Sequence, residues 1–118
     1  EVDGAASKEV AQCAARAVAE STLVKTAIAG ADPNWGRIVS ALGMAGIGEG
    51  RVKLFVQGVP IFECGQPLAF DAGQLSAQMR DTFEIAIDVD LGEGPGTARF
   101  WTSDLTEEYV RLNAEYHT

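Results

Sequence analysis

The sequence predicts an α/β (α+β) fold in which helices pack against a mixed sheet. Helical and strand-like segments alternate in the first half, and closely spaced strands with glycine turns dominate the second half. The predicted order, β-α-β-α-β-β-α-β-β-α, is typical of a layered fold. At 118 residues and 47% hydrophobic content, the chain suits one domain, which we predict to span residues 1–118.

The chain opens with a predicted strand and helix. "EVD" looks like the end of a strand already under way, so we expect the chain to be cut from a longer one. Ser7 is a predicted N-cap, and the next segment has helical spacing of its apolar residues, at Val10, Cys13, Ala14, Ala17 and Val18. This spacing predicts that the Cys13 thiol is buried.

The next segment, "TLVKTAIAG", is short, mostly apolar and rich in β-branched residues, so it predicts a buried strand. Lys25 lies within it. A lysine in such a strand is expected at a sheet edge or beside a carboxylate, and a direct catalytic role is the alternative.

A second helix is predicted over "ADPNWGRIVSALG", with Asp32 as its cap and Pro33 at its first position. Trp35 shares a face with Ile38, Val39 and Leu42, which favours core packing. Gly36 weakens a helix by about 1 kcal/mol relative to alanine, so we expect close backbone packing or a nearby ligand.

Arg37 is unusual because a cation near a helix N-terminus costs about 0.3–1 kcal/mol. A carboxylate partner would offset this cost. Three candidates are open, namely Asp32, another acidic side chain of the protein, or a substrate carboxylate.

Two strands, "RVKLFVQG" and "VPIFE", are predicted around Gly58, and Pro60 makes the second an edge strand or an irregular one. "CGQPLAFDAG" reads as a loop that exposes Cys64 in part and ends in an Asp71 cap. A short helix, "QLSAQMRD", follows.

The clearest strand is "FEIAIDVDL", because apolar and polar residues alternate strictly. "GEGPG" predicts a turn, and "TARFWTS" predicts the antiparallel return strand of a hairpin. Asp88 and Asp90 share the polar face, which favours a solvated surface over a cation site. The last helix is predicted over "LTEEYVRLN", with Asp104 and Glu107 as a capping box and a docked tail after it.

Composition excludes several function classes. Nine basic against 17 acidic residues argue against binding nucleic acid or anionic membranes. The lone histidine, His117, argues against an internal zinc site or a Ser-His-Asp triad. Cys13 and Cys64 form no C-x-x-C pair, and no signal peptide or bilayer-length apolar run is visible, so a cytoplasmic location is expected.

Together, "LVKTAIAGADPNWGRIVSALGMAG" and "VDLGEGPGTARFWTSDLTEEYVRLNAEYHT" closely resemble the ornithine acetyltransferase / glutamate N-acetyltransferase family of arginine biosynthesis. The resemblance covers essentially the whole chain. In the first motif, Asp32, Asn34, Trp35, Gly36 and Arg37 are family-signature residues that we expect to be structural. One departure is Ser21-Thr22-Leu23, where the family commonly has Ser-Pro-Leu, and it affects one turn.

The resemblance implies a multifunctional acyltransferase of the amino-terminal-nucleophile type that cleaves itself into α and β chains. The new amino-terminal Thr of β takes acetyl from N-acetylornithine and passes it to glutamate. No metal or other cofactor is implied, although acetyl-CoA is a possible co-substrate. The implied partners are the upstream α chain and the remainder of β, assembled as an oligomer of the heterotetramer kind.

The family's substrate-binding Asn and Thr near the carboxyl terminus lie five positions apart, and Asn113 and Thr118 match them in type and spacing. No catalytic residue is assigned here, because the nucleophilic Thr is expected upstream. The chain is therefore interpreted as the carboxyl-terminal part of β, inactive alone. The alternatives are a non-catalytic α/β amino-acid-binding or assembly module, and a related self-processing amidase or aminopeptidase.

Overall fold

A computed structural model describes residues 1–82, 84–98, 101–102 and 110–111. Its strands are listed here in chain order: β1 (Val2–Ala5), β2 (Lys53–Val56), β3 (Val59–Glu63), β4 (Gln66–Pro67), β5 (Ile87–Asp90), β6 (Gly96–Ala98), β7 (Trp101–Thr102) and β8 (Val110–Arg111). The first six form one sheet in the order β4-β3-β2-β5-β1-β6, and β7 pairs with β8. Among the described strands, only β1 and β5 pair in parallel, so the sheet is mixed, as predicted.

The described part of the chain also contains four α-helices: α1 (Lys8–Glu20), α2 (Thr22–Ala29), α3 (Trp35–Met44) and α4 (Ala72–Asp81). A short 3-10 helix, Glu49–Arg51, leads into β2. The predicted caps Ser7 and Asp71 are confirmed, because their side chains accept from the backbone N–H groups of Val10 and Gln74. Each cap satisfies a donor that the first helical turn leaves unpaired.

The core lies between the helices and one face of the sheet. Strand register places one apolar row across the sheet, with Leu54 opposite both Phe62 and Val89, and Val89 opposite Val2. These four side chains are at most 1% exposed. In β2 and β5 the alternate residues face away from this core, as the period of two in a strand requires. In β3, next to the register shift, Ile61 and Phe62 are both buried.

Two tight turns shape the β2–β3–β4 region. Gln57 and Gly58 join β2 to β3, and Cys64 and Gly65 join β3 to β4, all four with positive φ. Such two-residue turns match the twist of a hairpin. The predicted strands around Gly58 are confirmed, and the ladder shifts register near Pro60, which is the predicted irregularity.

The prediction of a strand over "TLVKTAIAG" is wrong, because these residues form α2. The Ser21 side chain caps this helix by accepting from the Val24 N–H at 3.2 Å. Val24 and Ala27 are buried while Leu23 is exposed, which is the one-sided burial of a surface helix. Capping and packing on the core therefore override the β-branched preference of the segment.

The predicted hairpin between "FEIAIDVDL" and "TARFWTS" is also wrong. β6 pairs antiparallel with β1, and β1 lies between β5 and β6. The alternation itself is confirmed from residue 84 onward, because the odd-numbered apolar side chains of the segment are buried, namely Ile85, Ile87, Val89 and Leu91. Residue Phe83 is outside the described residues.

In the last predicted helix, only Val110 and Arg111 are described, and they form a strand paired with Trp101 and Thr102, so the helix prediction is wrong there. Cross-strand pairing replaces the local helical spacing at these two positions. The predicted capping box and docked tail lie outside the described residues.

The predicted burial of Cys13 is wrong as well, since the thiol is exposed on α1. The buried stripe of α1 consists mostly of small residues, namely Ala11, Ala14, Ala15, Val18 and Ala19. Cys13 lies on the opposite side of α1, together with the exposed residues Arg16 and Glu20. Cys64 is exposed, as predicted. No helix in the described part of the chain combines the length and apolarity needed to cross a membrane.

Candidate functional site

Residues 32–37, which we call the signature segment, form part of the connection between α2 and α3 and the first turn of α3. The Asp32 N–H donates to the Ala27 carbonyl at 2.8 Å, and the Ala31 N–H donates to the Ile28 carbonyl at 2.9 Å. These two bonds close the end of α2 as a Schellman motif. Its left-handed position, φ 53°, is occupied by Ala31, where glycine is the usual residue. The chain then turns through Pro33 into α3.

Asn34, and not Asp32, is the N-cap of α3. Its Oδ1 accepts from the Arg37 N–H at 3.0 Å, and its Nδ2 donates to the Asp32 carboxylate at 3.0 Å. The prediction of an Asp32 cap with Pro33 as the first helical residue is therefore wrong by two positions. Asp32 instead holds the capping amide in place and puts a negative charge near the positive end of α3.

Arg37 bridges the two helices. Its Nη1 donates to the backbone carbonyl of Leu23, in the first turn of α2, at 3.0 Å. No carboxylate among the described residues lies within 4.0 Å of the guanidinium, so the predicted internal ion pair, including the one with Asp32, is not found there. The bond to a neutral carbonyl orients Arg37, and the guanidinium forms no ion pair within the described part of the chain.

Trp35 packs on the sheet, in line with the core-packing interpretation, but only in part. Its ring stacks on Phe62 of β3, with centroids 5.4 Å apart and planes at 25°. Phe62 is buried, whereas Trp35 keeps 36% of its surface exposed. The indole therefore covers the edge of the core, and one of its faces is available to another surface.

Gly36 does not serve the close packing that the sequence predicts. A methyl group added there would meet one neighbour within 4 Å, the Oδ1 atom of Asn34 at 3.4 Å. This contact belongs to the cap of the same helix turn and not to the sheet. Space alone therefore does not require glycine at this position.

A small apolar cleft lies beneath the signature segment. It contains about 230 Å³ of empty space, part of it open to solvent. Its lining comes from α2, the α2–α3 connection, α3, α4 and the sheet, and includes Ala27, Asn34, Ile38, Met79 and Ile87. The lining is almost entirely apolar, so these described residues offer little to bind a charged amino acid.

Acidic side chains line the opposite face of the sheet. Asp3 and Lys53 both lie opposite Asp90 in the strand register, and Lys53 also forms an ion pair with Glu63 at 3.6 Å. Burial raises the pKa of the Asp3 carboxyl above its ordinary value of 3.8. The Glu1 carboxylate raises it next, and Asp90 and Asp88 raise it further.

Asp88 and Asp90 are predicted to lie on a solvated polar face, and their half-exposed positions agree with this prediction. Asp90 also has a local role, because its Oδ1 accepts from the Gly92 N–H at 2.9 Å. Within the described ranges, no group of three or more His, Cys, Asp or Glu side chains is arranged to hold a metal ion.

The remaining predicted residues divide into two groups. Lys25 is half-buried on α2 rather than in a strand, and no carboxylate of the described residues pairs with it. The predicted substrate-binding residues Asn113 and Thr118 lie outside the described residues, so their placement stays a prediction. Sequence reasoning missed Leu23 and Phe62, because a backbone carbonyl and a distant aromatic ring leave no local motif.

Comparisons with known proteins agree along the whole chain. The model of the ArgJ family matches residues 1–118. A protein from Rhodopirellula baltica named arginine biosynthesis bifunctional protein ArgJ is 54% identical over 99% of this chain and 29% of its own length. A protein of the same name from Deinococcus radiodurans is 48% identical over 99% of this chain and 30% of its own.

A solved structure agrees with the fold. The crystal structure of arginine biosynthesis bifunctional protein ArgJ from Bacillus halodurans superposes with a TM-score of 0.84 at 34% identity. The match covers 92% of this chain and 52% of that one. The chain spans about three tenths of the length of the curated relatives that it matches.

Proposed function

The chain belongs to the ArgJ family, and on this premise we propose that it is the carboxyl-terminal part of the β chain of a glutamate N-acetyltransferase / ornithine acetyltransferase. The observation that carries the proposal is the match over 99% of the chain, at 54% identity, to a relative named for arginine biosynthesis. The complete enzyme moves acetyl from N-acetylornithine to glutamate.

The proposed chemistry is that of an amino-terminal threonine contributed by the longer protein. Its hydroxyl attacks the acetyl carbonyl, a neighbouring base takes the proton, and backbone N–H groups hold the oxyanion. The amide bond of N-acetylornithine then breaks, and ornithine leaves as the amine with the proton that the base had taken. The resulting acetyl-threonine passes its acetyl group to the amine of glutamate, which restores the threonine hydroxyl. The proposal includes no metal or other cofactor, and acetyl-CoA is a possible further donor.

This chain supplies substrate contacts in the proposal and not the nucleophile. The Asn113 amide binds the substrate carboxylate or backbone, and the Thr118 hydroxyl hydrogen-bonds the ligand. Asp32, Asn34 and Arg37 act structurally, because their described bonds cap α3 and connect it to α2. The proposed partners are the upstream α chain and the rest of β, in a cytoplasmic oligomer.

The test uses the full-length protein that contains this chain. We expect the purified enzyme to convert N-acetylornithine and glutamate into ornithine and N-acetylglutamate, and to lose this activity when the amino-terminal Thr of β is replaced by Ala. The 118-residue chain alone is expected to be inactive. A folded, self-cleaved enzyme that transfers no acetyl group contradicts the proposal, and release of acetate without use of glutamate identifies an amidase instead.

A further inference from the structure

Arg37 shares a helix face with Met44 and a hydrogen bond with Leu23, the two large apolar residues that are most exposed among the described residues. Met44 follows Arg37 by seven residues on α3, which is two helical turns and therefore the same face. Leu23 is joined to Arg37 through its carbonyl. Met44 is 90% exposed and Leu23 is 57% exposed. We call the patch formed by Leu23, Arg37 and Met44 the Leu23–Met44 surface.

This surface combines exposed apolar area with a guanidinium that forms no ion pair among the described residues. The guanidinium has five N–H donors, and the described bonds use Nη1 on the Leu23 carbonyl. It lies in the first turn of α3, where the helix dipole disfavours a cation, and no carboxylate of the described residues forms an ion pair with it. A matching surface would therefore present a carboxylate beside apolar side chains.

We infer that the Leu23–Met44 surface docks onto a segment of the longer protein that precedes this chain and carries an Asp or Glu next to apolar residues. The inference rests on the proposed function, in which this chain is one part of a larger enzyme. It is further supported by the length of the relatives, since this chain covers 29% of one curated relative and 52% of the solved relative's chain. The remainder of such a protein is long enough to cover this surface. The docked carboxylate would be the partner of Arg37.

Photo-crosslinking in the full-length enzyme tests this directly. A benzophenone amino acid replaces Met44, and the crosslinked peptides are identified by mass spectrometry. We expect crosslinks to a segment that precedes Glu1 and contains an Asp or Glu. The same amino acid in place of Gln66, an exposed residue of β4, is the matched control and should give a different crosslink pattern.

Thiol labelling provides a second measurement that needs no crosslink. In the native full-length enzyme, we expect Leu23→Cys to react about tenfold more slowly than in the urea-unfolded enzyme, with native Cys13 and Cys64 replaced by serine. Labelling at the unfolded rate overturns the inference. So do crosslinks to residues 103–118, to a second copy, or to no segment, and crosslinks to a preceding segment without a carboxylate.

Failure of this inference is distinguishable from failure of the proposed function. Acetyl transfer is measured on the same enzyme before crosslinking, and it depends on the nucleophile and substrates. The crosslink pattern depends only on what covers α2 and α3. An active enzyme with a free Leu23–Met44 surface overturns the inference alone.

Discussion

Gln57 pairs with Ala86 through two hydrogen bonds: the Gln57 backbone donates the first, and the Gln57 side chain accepts the second. The Gln57 N–H donates to the Ala86 carbonyl at 2.9 Å, and the Ala86 N–H donates to Gln57 Oε1 at 2.7 Å. The ladder between β2 and β5 ends at Val56 opposite Ile87. Because Gln57 turns away with φ 51°, its side-chain carbonyl takes the place of the backbone carbonyl and extends the ladder by one residue.

Replacing Gln57 therefore tests a specific bond. Gln57→Ala should lower the free energy of unfolding by about 1–2 kcal/mol, because the half-buried Ala86 N–H loses its acceptor. Gln57→Glu keeps an acceptor at the same reach and should lose less. Urea denaturation measures both changes, and equal losses for the two variants would show that the Ala86 bond contributes little.

Ala31 offers a second test, because it occupies the left-handed position that ends α2. A β-branched side chain is strained at positive φ, so Ala31→Val should destabilise the chain by about 1–3 kcal/mol. Ala31→Gly relieves the backbone but removes a buried methyl group, so it should change stability by less than about 1 kcal/mol. Thermal unfolding compares the two variants. A tolerated valine would mean that the Schellman turn is not formed.

The fold was predictable where one local signal decides the structure. Ser7 and Asp71 could be identified as caps because a cap needs only its own helix turn. The β5 segment could be identified because strict alternation fits one half-buried strand. The position of β6 in the sheet could not be predicted, because "GEGPG" is compatible with a hairpin between β5 and β6. In the structure β1 pairs with both strands and so lies between them.

The signature segment was predictable as a helix start but not in its contacts. Asp32 and Asn34 are both good caps, and the choice between them depends on how α2 ends, which was itself predicted as a strand. Arg37 could be identified as unusual, yet its partner, the Leu23 carbonyl, lies on that same mispredicted element. One wrong element thus concealed both the cap and the bridge.

Gly36 and Gly96 differ in whether the structure leaves room for a side chain. Gly36→Ala should be neutral or stabilise the chain by up to about 0.5 kcal/mol, because only a cap oxygen lies nearby and alanine favours a helix. Gly96→Ala should destabilise it by about 3 kcal/mol, because the added methyl would overlap the backbone carbonyl oxygen of Ser7. Chemical denaturation measures both. A costly Gly36→Ala would restore the interpretation of close packing at the signature helix.

The raised pKa of the Asp3 carboxyl predicts that the stability of the chain depends on pH. Its folded pKa is raised above 3.8, mainly by burial, so between 3.8 and the raised value the folded state binds more protons than the unfolded state. Stability therefore falls as the pH rises through this window, and the penalty is complete above it. Asp3→Asn should raise Tm at neutral pH and have no such advantage below the unfolded pKa.

The measurement is Tm as a function of pH for both forms. The same change at Asp81, an exposed carboxylate on α4, controls for the loss of one negative charge. An Asp3→Asn advantage that persists unchanged below pH 3.8 would assign the effect to packing rather than to proton binding.

The carboxyl-terminal prediction is tested on catalysis in the full-length enzyme. If the Asn113 amide binds substrate, Asn113→Ala removes a hydrogen bond worth about 0.5–1.5 kcal/mol, and kcat/KM for acetyl transfer should fall about two- to twelvefold. The fall is larger if the ligand group is charged. Self-cleavage should be intact, because it precedes substrate binding.

Thr118→Ser keeps the hydroxyl and should retain activity, whereas Thr118→Val should lose it to a similar extent as Asn113→Ala. Unaltered kinetics in Asn113→Ala would remove this residue from the substrate site while leaving the family membership of the chain intact, since that membership depends on the whole of residues 1–118.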